Sequence, residues 1–116
     1  MSKILVVDDE YVVRDVVETG LTNKGYKVFT ASDGEEGLEL YKKDNNGLIV
    51  LTDVNMPRMD GFRLSSEIRK INPNAIVYVM SGNDENGRIM EYGASGFIKK
   101  PFEFKGLERL LNNYKE

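Results

Sequence analysis

Short apolar segments alternate with amphipathic ones along the chain. The apolar segments predict strands at Lys3–Val7, Tyr26–Thr30, Leu48–Leu51, Ala75–Met80 and Ala94–Lys99. Apolar residues at helical spacing predict helices at about Tyr11–Lys24, Glu35–Lys43, Phe62–Lys70, Asp84–Tyr92 and Glu103–Tyr114. A strand followed by a helix, repeated five times, implies a parallel sheet with right-handed crossovers and helices on both faces.

Two of the predicted helices have further features in their sequences, a capping motif in one and a wide apolar arc in the other. The segment from Ser32 to Glu35 resembles a capping box before the second helix. In the first helix, the apolar arc between Val12 and Leu21 is wider than the stripe that one side of a sheet can cover. We therefore expect part of this arc to remain exposed, with Val12 and Val13 as the candidates.

The length and charge of the chain restrict its class. A chain of 116 residues fits one domain, and we expect a single domain over residues 1–116 with no output domain. No apolar run approaches the roughly 20 residues of a membrane span, and no signal-peptide pattern opens the chain, so we expect a cytoplasmic protein. The net charge of -3, without a Lys/Arg-rich run, argues against direct nucleic-acid binding.

The chain contains no cysteine and no histidine. This composition excludes disulfides, thiolate nucleophiles and zinc-thiolate sites, and it removes the commonest general base. Any chemistry must use carboxylates, hydroxyls, lysines and the backbone.

Polar side chains stand where four of the predicted strands end. They are Asp8 with Asp9, Asp53, Ser81 and Lys100. Because the C-terminal ends of parallel strands lie at one edge of a sheet, we expect these residues to converge. Each has a simpler interpretation alone, since Asp53 could begin a turn and Lys100 could be a surface lysine, but the set together indicates a site.

The predicted site has the composition of a phosphoryl acceptor. Carboxylates held close together repel one another by roughly 1 kcal/mol per pair in water-like surroundings, and a divalent cation relieves that repulsion. Oxygen ligands without histidine or cysteine favour Mg²⁺. An attacking Asp53 carboxylate, with Mg²⁺ and the Lys100 ammonium neutralising the phosphoryl oxygens, would yield an aspartyl phosphate.

The chain resembles the receiver domains of two-component response regulators over essentially its whole length, and most closely the stand-alone kind found in chemotaxis and sporulation relays. The motifs that carry the resemblance are Val6-Val7-Asp8-Asp9-Glu10, Asp53-Val54-Asn55-Met56-Pro57 with Asp60-Gly61, Ser81, Gly93-Ala94-Ser95-Gly96-Phe97 and Lys100-Pro101-Phe102. The resemblance implies a flavodoxin-like α/β fold, in which a doubly wound parallel sheet has five strands in the order 2-1-3-4-5.

The resemblance also implies roles for residues at the site. Asp53 would be phosphorylated by a sensor histidine kinase or a His-containing phosphotransfer protein. Mg²⁺ would be bound directly by Asp9 and Asp53, through the backbone carbonyl of Asn55, and by Asp8 mainly through water.

Further roles concern the response to phosphorylation. Lys100 would contact the phosphoryl group, Ser81 would move toward it, and the Phe97 ring would change rotamer with that movement. The domain would catalyse only its own phosphorylation and dephosphorylation, and as a monomer it would signal by protein contact. Val12 and Val13 are the predicted docking residues for the phosphodonor.

The sequence departs from the family pattern after the switch serine. Gly82 stands where the family more often has alanine or another small residue. The segment from Ser81 to Gly93 is a few residues shorter than usual, so we expect the fourth predicted helix to be shortened or displaced.

Three alternative functions make different demands on the sequence. A small-molecule phosphatase with an aspartate nucleophile needs a second carboxylate two residues further on, where this chain has Asn55, and it needs a cap insertion that the chain lacks. A flavin-binding module needs a neutral first loop, whereas the segment from Asp8 to Glu10 would repel a flavin phosphate. A phosphorylation-independent interaction module remains open, and failure to bind Mg²⁺ would favour it.

Overall fold

The computed structural model describes residues 3–82, 93–100 and 103–114. The strands are β1 Lys3–Val7, β2 Lys27–Ala31, β3 Leu48–Asp53, β4 Ile76–Ser81 and β5 Gly96–Lys99. The helices are α1 Tyr11–Asn23, α2 Gly34–Lys43, α3 Gly61–Ile71 and α4 Phe104–Leu111, and a 3₁₀ turn at Asn112–Tyr114 follows α4. The helix predicted at about Asp84–Tyr92 lies outside the described residues. None of the helices in the described ranges is long and apolar enough to cross a membrane.

All strands are parallel, and their order across the sheet is β2-β1-β3-β4-β5. This order confirms the predicted doubly wound fold. The register pairs Val7 with Thr52, Asp53 with Met80, and Ser81 with Lys99. The C-terminal ends of β1, β3, β4 and β5 therefore meet at one edge of the sheet.

Alternate residues of β1 belong to two different hydrophobic clusters, which shows that helices cover both faces of the sheet. Leu5 packs in a cluster with Leu64 of α3, together with residues of α2. Ile4 packs in the other cluster with residues of α1 and with Leu107 of α4. Leu64 is fully buried, so its truncation to alanine would cost about 2–5 kcal/mol of folding free energy.

The cap of α2 lies one residue later than the sequence suggested. Asp33, not Ser32, is the N-cap, and its Oδ1 accepts a hydrogen bond of 2.9 Å from the backbone N–H of Glu36. The Glu36 carboxylate in turn accepts hydrogen bonds of 2.6 and 3.1 Å from the backbone N–H and hydroxyl of Ser32. The arrangement resembles a capping box, except that Glu36, in the position predicted for Glu35, accepts from Ser32, the residue before the N-cap.

The C-terminal part of α3 is tied to the segments that flank β4. The Arg69 guanidinium donates to the carbonyl oxygens of Pro73 at 3.0 Å and of Ala75, and its Nε donates to that of Gly93 at 3.1 Å. The Ser95 hydroxyl accepts a 3.0 Å hydrogen bond from the backbone N–H of β4 residue Val77. Arg69 thus fixes the chain just before β4 and just before β5 to the same helix.

Candidate functional site

Asp53 is the last residue of β3, which is buried along its whole length, and it lies at the C-terminal edge of the sheet. The residue is 8% exposed, and its Oδ1 accepts a 2.8 Å hydrogen bond from the backbone N–H of Val54. The chain then turns sharply, because the N–H of Gly61 donates to the Val54 carbonyl at 2.8 Å and α3 begins there. The turn leaves the Asp53 carboxylate at the sheet edge with limited access to solvent.

Lys100 lies between two carboxylates at this edge. Its Nζ is 3.0 Å from Oδ2 of Asp8 and 3.4 Å from Oδ1 of Asp53. Asp8 is fully buried, and its other oxygen accepts a 2.9 Å hydrogen bond from the backbone N–H of Glu10. The structure therefore brings together three of the residues that the sequence assigned to one site: Asp8, Asp53 and Lys100.

The electrostatics of the site disfavour charge on the acceptor. Burial raises the pKa of the Asp53 carboxyl above its ordinary value, the charge of Asp8 raises it further, and Lys100 offsets part of both effects. Burial also opposes charge on Lys100, but its hydrogen bond to Asp8 and the attraction of Asp53 together raise its pKa. The ammonium is therefore held charged between carboxylates that would gain from an additional cation.

A group of three carboxylates at the site fits a hard cation. Oxygens of Asp8, Glu10 and Asp53 all lie within 4.8 Å of one another. Mg²⁺ binds oxygen at about 2.1 Å, which puts opposite ligands about 4.2 Å apart, so this spacing suits Mg²⁺ bound through a mixture of carboxylates and water. The donor set contains only oxygen, as Mg²⁺ prefers.

Sequence reasoning did not assign Glu10 to the site. The signal that could have found it is its place in the acidic run Asp8-Asp9-Glu10, directly after the first strand. Glu10 is the N-cap of α1 but makes no capping hydrogen bond through its side chain. The chain bends at Asp9, and the Glu10 N–H donates to the Asp8 carboxylate at 2.9 Å, so the bend keeps Glu10 close to Asp8.

Two of the predicted metal ligands, Asp9 and Asn55, are exposed. Asp9 is exposed and does not belong to the group of carboxylates found among the described residues. Asn55 is exposed in the loop that follows β3. The roles of Asp9 and of the Asn55 carbonyl stay predictions.

The predicted switch residues lie on β4, which pairs with β3, and on β5, which pairs with β4. Ser81 ends β4, and its carbonyl accepts a 2.7 Å hydrogen bond from the backbone N–H of Lys100. Phe97, on β5, is half-buried against a small cluster that contains Val54 and Val79. The Phe97 ring thus packs on the cluster that includes the residue directly after the acceptor, while its rotamer change stays a prediction.

An apolar groove opens beside the site, between α1 and the start of α4. Val12 is 72% exposed and Val16 is 59% exposed, whereas Val13 is half-buried against the core. The groove has a volume of about 450 Å³ and is lined by Glu10, Val12, Val13, Val16, Val17, Lys100 and Phe104. Of the two predicted docking residues, Val12 is the more accessible, and the exposure of Val16 was not foreseen.

Known proteins resemble this chain in sequence and in structure. Residues 4–112 match the family model of the response regulator receiver domain. A probable transcriptional regulator, ycf27 of Porphyridium aerugineum, is 43% identical over 114 residues, which is 97% of this chain and 47% of that protein. The chain therefore spans about half the length of the curated relatives that it matches.

Solved structures with the same fold cover the chain almost completely. The chemotaxis protein CheY4 of Vibrio cholerae matches with a TM-score of 0.90 and 30% identity, over 99% of each chain. The response regulator protein TrrA of Thermotoga maritima, solved in complex with Mg²⁺-BeF, matches with a TM-score of 0.89 and 29% identity, over 99% of this chain and 100% of that one. The family model, the relatives in sequence and the solved structures all agree with the observed fold. This chain belongs to the response regulator receiver domain family.

Proposed function

We propose that this domain accepts a phosphoryl group on Asp53 in a Mg²⁺-dependent reaction and then signals through protein contacts. The observation that carries the proposal is the arrangement of the Lys100 ammonium 3.4 Å from the Asp53 carboxylate and 3.0 Å from the buried Asp8. A buried carboxylate beside a fixed cation and further acidic oxygens suits nucleophilic attack on phosphorus. The Mg²⁺-BeF complex of the similar protein TrrA is consistent with the same chemistry here.

The donor would be a phosphohistidine of a histidine kinase or a phosphotransfer protein, since this chain has no histidine of its own. An Asp53 carboxylate oxygen forms a bond to phosphorus, the P–N bond breaks, and the imidazole nitrogen leaves with the electron pair. Mg²⁺, when bound, would neutralise charge on the phosphoryl oxygens. Lys100 would hold a further phosphoryl oxygen, and the burial of Asp53 would limit access of water to the product.

The groove beside the site supports a docking surface for the donor. It places exposed apolar side chains of α1, Val12 among them, next to Lys100. A donor helix with an apolar face fits such a surface. In this proposal, docking there brings the phosphohistidine to Asp53.

The proposal extends to the behaviour of the domain after phosphorylation. Ser81 and Phe97 would shift together, so that phosphorylation changes the balance between two conformations. The domain would catalyse no reaction beyond its own phosphorylation and the hydrolysis of its aspartyl phosphate. We infer a monomeric, cytoplasmic domain whose downstream target is a protein.

Intact mass measurement tests the proposal directly. The wild-type protein, Asp53→Asn and the exposed control Asp15→Asn are incubated with a small-molecule phosphodonor, with and without Mg²⁺. We expect one phosphoryl addition to the wild type and to Asp15→Asn, only with Mg²⁺, and none to Asp53→Asn. Addition to Asp53→Asn would refute the assignment of the acceptor. No addition and no Mg²⁺ binding by the wild type would point instead to a phosphorylation-independent interaction module.

A further inference from the structure

The loop between β3 and α3, which follows the acceptor directly, is anchored along its length. At its base, the N–H of Gly61 donates to the Val54 carbonyl at 2.8 Å. Further along, Met59 is 9% exposed and packs into the core between the sheet and α2 and α3. Its carbonyl lies so close to Gly34 that a Cβ added there would be 2.3 Å away.

The remaining anchor is an ion pair between this loop and the N-terminus of α2. Nη1 of Arg58 lies 2.8 Å from Oδ2 of Asp33, whose side chain is 6% exposed. The other oxygen of the same carboxylate caps α2 through the N–H of Glu36. Because the cap holds the carboxylate in place, Arg58 binds to a fixed partner.

The backbone at Arg58 has an unusual conformation, in a turn closed by a 2.8 Å hydrogen bond from the Met59 N–H to the Pro57 carbonyl. Arg58 has a φ of 67°, and it is the only non-glycine residue with positive φ among the residues that the structure describes. Apart from glycine, which has no Cβ, and asparagine and aspartate, residues rarely adopt this conformation. A bulky residue held there has surroundings that fix it, and Asp33 supplies the charged contact.

We propose that Asp33 and Arg58 are positioning residues for the metal site, and we name their ion pair the Asp33–Arg58 clasp. Asn55 lies in the clasped loop, two residues after Asp53 and three before Arg58. A loop that is already ordered loses less conformational freedom when one of its groups binds a cation. The clasp therefore strengthens Mg²⁺ binding without touching the ion. This inference rests on the proposed Mg²⁺-dependent function.

A purely structural role would give a different result. Asp33 is 6% exposed at its side chain, so loss of its cation would lower the thermal midpoint even though Arg58 itself is 66% exposed. A purely structural clasp would change that midpoint and leave Mg²⁺ affinity as it is. Mg²⁺ affinity is the measurement that separates the two roles.

The sign of the effect makes Arg58→Asn the decisive variant. Removal of a positive charge near the site, by electrostatics alone, strengthens cation binding. The clasp predicts the opposite, a Mg²⁺ affinity lower by about three- to tenfold, because asparagine tolerates positive φ but cannot bind Asp33 as a cation. Asp33→Asn, which keeps an acceptor oxygen for the cap of α2, is expected to weaken Mg²⁺ binding similarly.

The α3 pair between Lys70 and Glu67, 3.1 Å apart and exposed at Lys70, offers matched controls. Lys70→Asn and Glu67→Gln remove the same charges as Arg58→Asn and Asp33→Asn, and we expect both to bind Mg²⁺ as the wild type does. Mg²⁺ titrations of the full chain, followed by amide NMR shifts, give the affinities and report on folding. Arg58→Gly, in which glycine adopts positive φ freely, replaces Arg58→Asn if that variant does not fold.

The outcomes distinguish this inference from the proposed function. If the wild type binds Mg²⁺ and Arg58→Asn binds it more weakly while Lys70→Asn does not, the clasp is supported. If Arg58→Asn binds Mg²⁺ as tightly as the wild type or more tightly, the clasp is refuted and the phosphoacceptor function stands. If the wild type itself binds no Mg²⁺, both fall.

Discussion

Replacement of Gly61 by alanine tests how closely the backbone is packed behind the acceptor. A Cβ added at Gly61 would lie 2.1 Å from the carbonyl oxygen of Asp53 and 3.0 Å from Cα of Val54. The first contact is about 0.9 Å shorter than 3.0 Å, a distance below which Cβ contacts essentially never occur. Both contacts are with backbone, so no side-chain rotation can relieve them, and the end of β3 must separate from α3.

The cost of this separation follows from the packing of the site. Overpacking of a close-packed interior costs about 1–3 kcal/mol, and a clash with backbone belongs at the upper end, about 2–3 kcal/mol. At about 4 °C per kcal/mol for a domain of this size, the thermal midpoint should fall by about 10 °C. Because a shift of about 1 Å in a reacting group can reduce a rate about a hundredfold, phosphorylation of Asp53 should slow by about ten- to a hundredfold.

Thermal unfolding followed by circular dichroism, and intact-mass time courses with a small-molecule phosphodonor, measure the two effects. Gly106→Ala is the matched control, because a Cβ at that exposed position in α4 meets no atom within 4 Å. It should leave phosphorylation unchanged and be neutral or stabilising by up to about 1 kcal/mol. A Gly61→Ala protein with the thermal midpoint and phosphorylation rate of the wild type would refute this account of the turn.

Three further predictions concern charge and docking. Because the pKa of Asp53 is raised in the folded state, ionisation of Asp53 destabilises the fold as pH rises through that pKa. Asp53→Asn should therefore have a higher thermal midpoint than the wild type at pH 7. Equal midpoints at pH 7 would contradict this. The same difference should shrink below the ordinary aspartate pKa of about 3.9, where Asp53 is protonated in both states. Lys100→Met leaves the fully buried Asp8 without its cation, so it should lose about 2–4 kcal/mol in urea unfolding and recover part of that loss with Mg²⁺; full stability without Mg²⁺ would count against the bridge. Val12→Asp should slow phosphotransfer from the cognate kinase but not from a small-molecule donor, and an unchanged kinase rate would remove Val12 from the docking surface.

The sequence was sufficient for the features that depend on chain order and strand ends. Apolar runs that stop at Asp8 and Asp53, in a chain that alternates strand and helix, required those carboxylates to meet at one edge, and the structure places them there with Lys100. The family resemblance supplied the strand order, which the sheet confirms.

Features that depend on how distant segments approach one another were not predictable from the sequence. The clasp joins Asp33 to Arg58, which are 25 residues apart and form no local motif. The cap of α2 lies at Asp33 rather than Ser32, a difference of one residue that composition cannot decide, since both are good N-cap residues. The placement of Glu10 beside Asp8 and Asp53 likewise depends on how the chain leaves β1.

The contacts of Arg69 bear on how this fold tolerates a change in the length of the connection between β4 and β5. This one side chain donates to the carbonyl of Ala75, just before β4, and to the carbonyl of Gly93, just before β5. The segments that lead into these two strands are therefore both held by α3. The position of β5, and with it Phe97, is thereby set from α3 and β4 and does not depend on the number of residues that connect Gly82 to Gly93. A protein engineer could therefore lengthen that connection with an inserted peptide while the acceptor edge of the sheet keeps its geometry.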